Sequence, residues 1–142
     1  MLYDHCTTIE KCKTKPLREN KKNFLITNPN GKYFEIIRID GCLIDASSKK
    51  CDWLVCIQDS SRQHAVFIEL KGTDIEYACE QLIATINSPA VKTITKHYEI
   101  FCVIVCSRVP KGGPKTQALK KAFYKKTKTL LQIYTIETEC CL

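Results

Sequence analysis

Apolar residues recur along this chain in two rhythms, and each rhythm predicts a kind of element. Three successive segments carry strand-like patterns: Tyr33 to Ile39, Trp53 to Ile57 and Ala65 to Leu70. Asp40-Gly41 closes the first, Gln58-Asp59-Ser60-Ser61 the second and Gly72 the third. Three strands in a row with short polar connections predict an antiparallel meander. Ile75, Ala78, Cys79, Leu82, Ile83 and Ile86 then recur at helical spacing, with Thr73 or Asp74 as cap and Ser88-Pro89 as stop. Ile100 to Cys106 is a near-continuous apolar run, expected of a central strand covered on both faces. A second helix is predicted over residues 115–128, with Ala118, Leu119, Ala122 and Phe123 inward, and a last strand over Leu130 to Ile136.

Ahead of the meander the chain is polar and lysine-rich. Pro16 to Asn20 reads as a short helix with proline in its first turn. Asn28-Pro29-Asn30-Gly31 reads as a turn, and Ser47-Ser48-Lys49-Lys50 as a loop. The coarse order, (helix)-β-β-β-α-β-α-β, defines an α/β fold with a mixed central sheet flanked by helices. A chain of 142 residues is expected to form a single domain. Its parts are a basic N-terminal segment (1–22), a core (33–106) and a basic loop, helix and last strand (107–142). With 44% hydrophobic residues it can bury a core without staples. No apolar run approaches the ~18 residues of a membrane span, and the first residues do not read as a signal peptide. A soluble, cytoplasmic protein is the expectation.

Ten cysteines are many for this length. A secreted disulfide scaffold is the less favoured explanation, because the first residues do not read as a signal peptide and the length needs no staples. Cys56, Cys79, Cys102 and Cys106 lie in apolar stretches, where cysteine serves as a small buried hydrophobe. Zinc-type spacing is absent: there is no Cys-x-x-Cys pair, and His5, His64 and His97 are scattered singly.

Charge is distributed unevenly around a net +7. Residues 108–128 hold eight Lys or Arg and no acid, and residues 11–22 hold six against Glu19 alone. Residues 35–80 hold nine acids against five bases. Basic flanks around an acidic centre suit a polyanion held beside a metal, although a solvated lysine surface has the same composition.

The acidic centre contains the segment with the clearest chemistry. Glu69 and Lys71 flank Leu70 at the end of an apolar strand, so alternation places the two charges on one face. Asp52 opens the preceding strand. If the strands are neighbours, Asp52 and Glu69 reach one point. Two carboxylates, the Leu70 carbonyl and waters suit Mg²⁺ or Mn²⁺. Lys71 would orient or deprotonate an attacking water. An ordinary Glu–Lys pair at a strand end is the alternative for a bare Glu-x-Lys.

Cys51-Asp52-Trp53-Leu54-Val55 and Phe67-Ile68-Glu69-Leu70-Lys71-Gly72, followed by the helix with Glu80-Gln81-Leu82, resemble the PD-(D/E)XK nuclease superfamily, the restriction-endonuclease-like fold. The resemblance spans about residues 33–106 and implies an α-β-β-β-α-β core, here with an added C-terminal helix and strand. It implies that Asp52 and Glu69 bind metal, that Lys71 is catalytic and that Gln81 supports the site. Cys51 stands where the family has proline. For the glutamate that the family often places on its first helix, this chain offers Glu19 or Glu10.

Other residues have two readings each. Asp40 is a turn residue or a neighbour of the metal. His64 is expected in an exposed loop, and Trp53 in the core. Arg108, Lys111 and Lys115, with Lys121 and Lys125 on the last helix, would hold a phosphate backbone or simply be solvated. The expected activity is metal-dependent cleavage of nucleic acid, with DNA as the expected substrate, by a domain without membrane partners. A homodimer or a larger defence or repair complex is compatible with it. The alternative is a catalytically silent nuclease-fold subunit that binds nucleic acid.

Overall fold

Alternating apolar positions do form strands here, and the helical repeat forms a helix. The computed structural model describes residues 4–19, 21–44, 50–58, 63–70, 74–107, 114–135 and 137–142, with the backbone alone for 114, 115, 137, 139 and 140. The strands are β1 (Thr7–Glu10), β2 (Thr14–Glu19), β3 (Lys22–Thr27), β4 (Phe34–Arg38), β5 (Trp53–Gln58), β6 (Gln63–Leu70), β7 (Glu99–Cys106), β8 (Leu130–Thr135) and β9 (Glu137–Cys141). The helices are α1 (Ile75–Asn87), α2 (Pro89–Thr95) and α3 (Pro114–Thr127).

The main sheet has the order β1-β4-β5-β6-β7-β8. Each of its first four strands is antiparallel to its neighbour among them, which includes the predicted meander β4-β5-β6. β6, β7 and β8 are parallel, and the crossover connections that parallel neighbours need run through the helices. The sheet is therefore mixed, and β7 sits inside it with its last five residues buried.

Two apolar layers flank this sheet. Ile37, Leu54, Phe67 and Ile104 point to one side and pack with Ile75, Ala78 and Leu82 of α1, Val91 of α2 and Phe123 of α3. Ile36, Val55, Val66, Ile68, Leu70, Val103 and Val105 point to the other and pack with Leu17, Phe24 and Ile26. Those three residues come from a second, three-stranded sheet of order β2-β3-β9. The architecture is helices, main sheet, small sheet.

Several expectations are corrected. Pro16 to Asn20 forms no helix: Thr14–Glu19 is a strand, paired antiparallel with β3. β2 is the edge of its sheet, where proline's missing N–H costs least, and Leu17 is its buried anchor. Ser88-Pro89 stops α1 as expected, but Pro89 also starts α2, at the first-turn position proline favours. The inner face of α3 is narrower than predicted. Phe123 is buried and Leu119 half-buried, while Ala118 and Ala122 are exposed. Cys6 and Cys42, 36 residues apart, form a disulfide, although the length of the chain gave no need for one.

Candidate active site

Antiparallel pairing of β4, β5 and β6, with β7 parallel to β6, brings four strand ends to one edge of the main sheet. They are the end of β4, the start of β5 and the ends of β6 and β7. In open α/β sheets such an edge, beyond the carboxyl ends of parallel strands, is where ligands are commonly held.

Asp52 is the most firmly fixed residue there. Its N–H donates to the Ile68 carbonyl at 3.1 Å, and its carbonyl accepts from the Ile39 N–H at 3.1 Å. Its Oδ2 accepts from the buried Leu70 N–H at 2.8 Å. These bonds stitch β4, β5 and β6 together just past their ladder, and only 2% of Asp52 is exposed.

Glu69 follows Ile68 on β6, one residue past the end of the β5–β6 ladder at Trp53 and Ile68. It is fully buried. Ala65 and Phe67 on its strand face the helices, while Val66, Ile68 and Leu70 face the small sheet, so alternation separates Glu69 from Leu70 as predicted. The buried Cys51 thiol registers both acids. Burial pushes it well above the ordinary thiol range, and the charges of Glu69 and then Asp52 push in the same direction, against a hydrogen bond with Thr85.

A third acid lies beside Asp52. Glu19, at the end of β2, is held above the ordinary carboxylate range by burial, then by the charge of Asp52 and a hydrogen bond with it, then by Asp40, with Arg38 opposing. A hydrogen bond between two carboxyl groups requires a proton between them. Of the two glutamates the sequence offered, Glu19 is thus the one beside Asp52, and it arrives on a strand rather than a helix. Glu10 pairs with Phe34 at the opposite end of β4 and lies 3.3 Å from Lys15.

Asp40 is more than a turn residue. Its Oδ1 lies 3.6 Å from Lys50 Nζ, and its carbonyl accepts from Arg38 Nε at 3.3 Å. Gly41 beside it takes a φ of 73°, which favours glycine.

Gln81 acts on the backbone that leads into the site. It is buried, and its Nε2 donates to the Lys50 carbonyl at 3.1 Å. One turn on, Thr85 Oγ1 accepts from the Cys51 N–H at 2.8 Å and donates to the Gln81 carbonyl at 2.8 Å. α1 therefore grips residues 50–51 and sets where Asp52 begins. The sequence pattern missed Thr85, which shares the buried face of α1 with Gln81.

Lys71, Arg108 and Lys111 lie outside the described residues, as does the side chain of Lys115. Lys121 and Lys125 are exposed on α3. His64 departs from expectation. It lies within β6, stacks on Phe101 with ring centroids 5.5 Å apart, and places Nδ1 4.0 Å from Glu99. Trp53 is half-buried, with the Arg38 guanidinium 5.9 Å from its ring centroid.

The donors of this site are carboxylate oxygens, which suit a hard cation such as Mg²⁺ or Mn²⁺. Among the described residues, the three-residue group whose potential ligand atoms already lie within 4.8 Å of one another is a different one, His5, Cys6 and Cys42. No protein-family model, curated protein or solved structure matches the chain.

Proposed function

We propose that this protein is a Mg²⁺- or Mn²⁺-dependent nuclease of the PD-(D/E)XK type, hydrolysing phosphodiester bonds in DNA. The observation that carries the reading is the burial of Asp52, just before β5, and Glu69, near the end of the adjacent β6, with Glu19 beside Asp52. Burying several carboxylates together is costly unless a cation or protons offset their charge. A bound divalent ion would lower the pKa of its water and stabilise charge on the phosphate. Asp52 and Glu69 would hold it with the Leu70 carbonyl, with Glu19 beside Asp52. Lys71 would orient or deprotonate the water. Gln81 and Thr85 position the segment that carries Asp52. Arg108, Lys111, Lys115, Lys121 and Lys125 would hold the phosphate backbone, in a cytoplasmic protein working alone, as a homodimer or in a defence or repair complex.

The test is a panel of labelled single-stranded, double-stranded and junction DNA and RNA, incubated with Mg²⁺ or Mn²⁺ beside an EDTA control. Cleavage that requires metal and is lost in Asp52→Asn and Glu69→Gln is expected. Cleavage that survives EDTA, or variants that cut normally, would overturn the proposal.

The near-complete burial of Asp52 and Glu69 favours a second reading, a nuclease-fold subunit that binds nucleic acid without cutting it. Binding with no cleavage across the whole panel would select that reading.

A further inference from the structure

The 3₁₀ turn Asp4–Cys6 brings His5 and Cys6 to the turn that follows β4, where Cys42 sits. One ligand atom from each of His5, Cys6 and Cys42 lies within 4.8 Å of the other two. We infer that these residues form a zinc site in the thiol state, and that the site is exchanged for the Cys6–Cys42 disulfide on oxidation. Scattered sequence positions hid the group, because two of its members are adjacent and the third is 36 residues away.

The chemistry of the donors selects the metal. Two thiolates and an imidazole are borderline-soft ligands that suit Zn²⁺, whereas the acids at the sheet edge suit Mg²⁺ or Mn²⁺. Zinc–sulfur bonds of about 2.3 Å place tetrahedral sulfurs roughly 3.8 Å apart, so the sulfurs separate only modestly when the disulfide opens. His5 is exposed and Cys42 half-buried, which leaves a route for the ion and room for water as fourth ligand. The turn carrying Cys42 is held independently: the Cys42 and Ile44 N–H groups donate to the Ile39 carbonyl at 3.3 and 3.0 Å, and the Leu43 N–H to the Arg38 carbonyl at 3.2 Å. Cys42 is thus held by backbone bonds that reduction leaves in place, and Cys6 immediately precedes β1, which is paired with β4.

The exchange balances with a small thiol as reductant. Two molecules of it cleave the S–S bond, leave as their own disulfide and yield two protein thiols. Zn²⁺ displaces both thiol protons, forms two Zn–S bonds and takes neutral His5 as third donor. In reverse, a small disulfide accepts two electrons from the thiolates and, with two protons, becomes two thiols. The protein S–S bond re-forms and Zn²⁺ is released. Reducing compartments hold such a pair as thiols, and oxidising ones as the disulfide.

The full-length chain, reduced with a phosphine under anaerobic conditions and desalted, is titrated with Zn²⁺ against a chromophoric chelator, and with Co²⁺ followed by absorption. One equivalent per chain with tetrahedral thiolate–Co²⁺ bands is expected, and none in the oxidised protein. His5→Ala, which keeps both sulfurs, should weaken Zn²⁺ by at least about tenfold, and Cys42→Ser should abolish the bands. No stoichiometric binding by the reduced wild type would overturn the proposal. Full binding retained by His5→Ala would also overturn it, since another set of the ten cysteines would then hold the ion.

Discussion

Asp52 couples the proposed chemistry of the site to the stability of the sheet. Its Oδ2 satisfies the buried Leu70 N–H, so Asp52→Ala leaves that donor unpaired and should destabilise the protein by about 1–3 kcal/mol. Asp52→Asn retains an acceptor oxygen and should unfold within about 1 kcal/mol of wild type in urea, while losing metal-dependent cleavage. Comparing the two separates a structural role from a catalytic one. Glu19 makes a second residue-scale prediction, through pH. Its carboxyl is raised from an ordinary value of 4.5, so between that value and its folded one the native state binds more protons than the unfolded state. The stability it contributes is full below pH 4.5 and is lost as pH rises through the folded value. Glu19→Gln, neutral throughout, should raise the Tm at pH 7 relative to wild type and leave it nearly unchanged at pH 4. An equal Tm difference at both pH values would exclude the pairing.

Among the elements, α1 is the one that reaches into the site. Thr85→Val removes the oxygen that accepts from the buried Cys51 N–H and should cost about 1–3 kcal/mol in chemical denaturation. Thr93→Val, at an exposed position of α2, is the control. Its hydroxyl donates only to the Pro89 carbonyl, and its loss should stay within about 0.5 kcal/mol. Legibility also divides by element. β4, β5, β6, β7 and α1 were readable because each buries a face large enough to impose a clean period. β2 was not, because Leu17 is its only buried residue and one position makes no pattern. β3 did carry a signal. Phe24 and Ile26 are buried at alternate positions, and Asn20 and Lys21 precede it like hairpin-turn residues. β9 owes its existence to pairing with β3 across the whole chain, which no local period reports. The site followed the same division. Asp52, Glu69 and Gln81 lie on the readable elements, and Glu19 reached the site on an unreadable one.

For the whole molecule, charge and layering decide what can approach. α3 presents Lys121 and Lys125 to solvent with no acid in its sequence. If these lysines contact phosphates, replacing both with Ala should weaken DNA binding evenly across sequences. It should also make the log–log salt dependence shallower by about two. An unchanged slope in filter-binding or anisotropy titrations would assign them to the solvated surface.

The small sheet also carries a consequence for synthesis of the protein. Asn23 of β3 pairs with Glu137 of β9, a partner more than a hundred residues later. Until β9 emerges, β2 and β3 are a two-stranded hairpin, which is marginal alone in water. Distant pairings of this kind close late. A growing chain would therefore lay down the meander and α1 first, with Leu70 and Val105 uncovered, and settle Glu19 against Asp52 near the end. The acidic cluster would be finished on the timescale of translation rather than of local folding, after both of its neighbours on the main sheet.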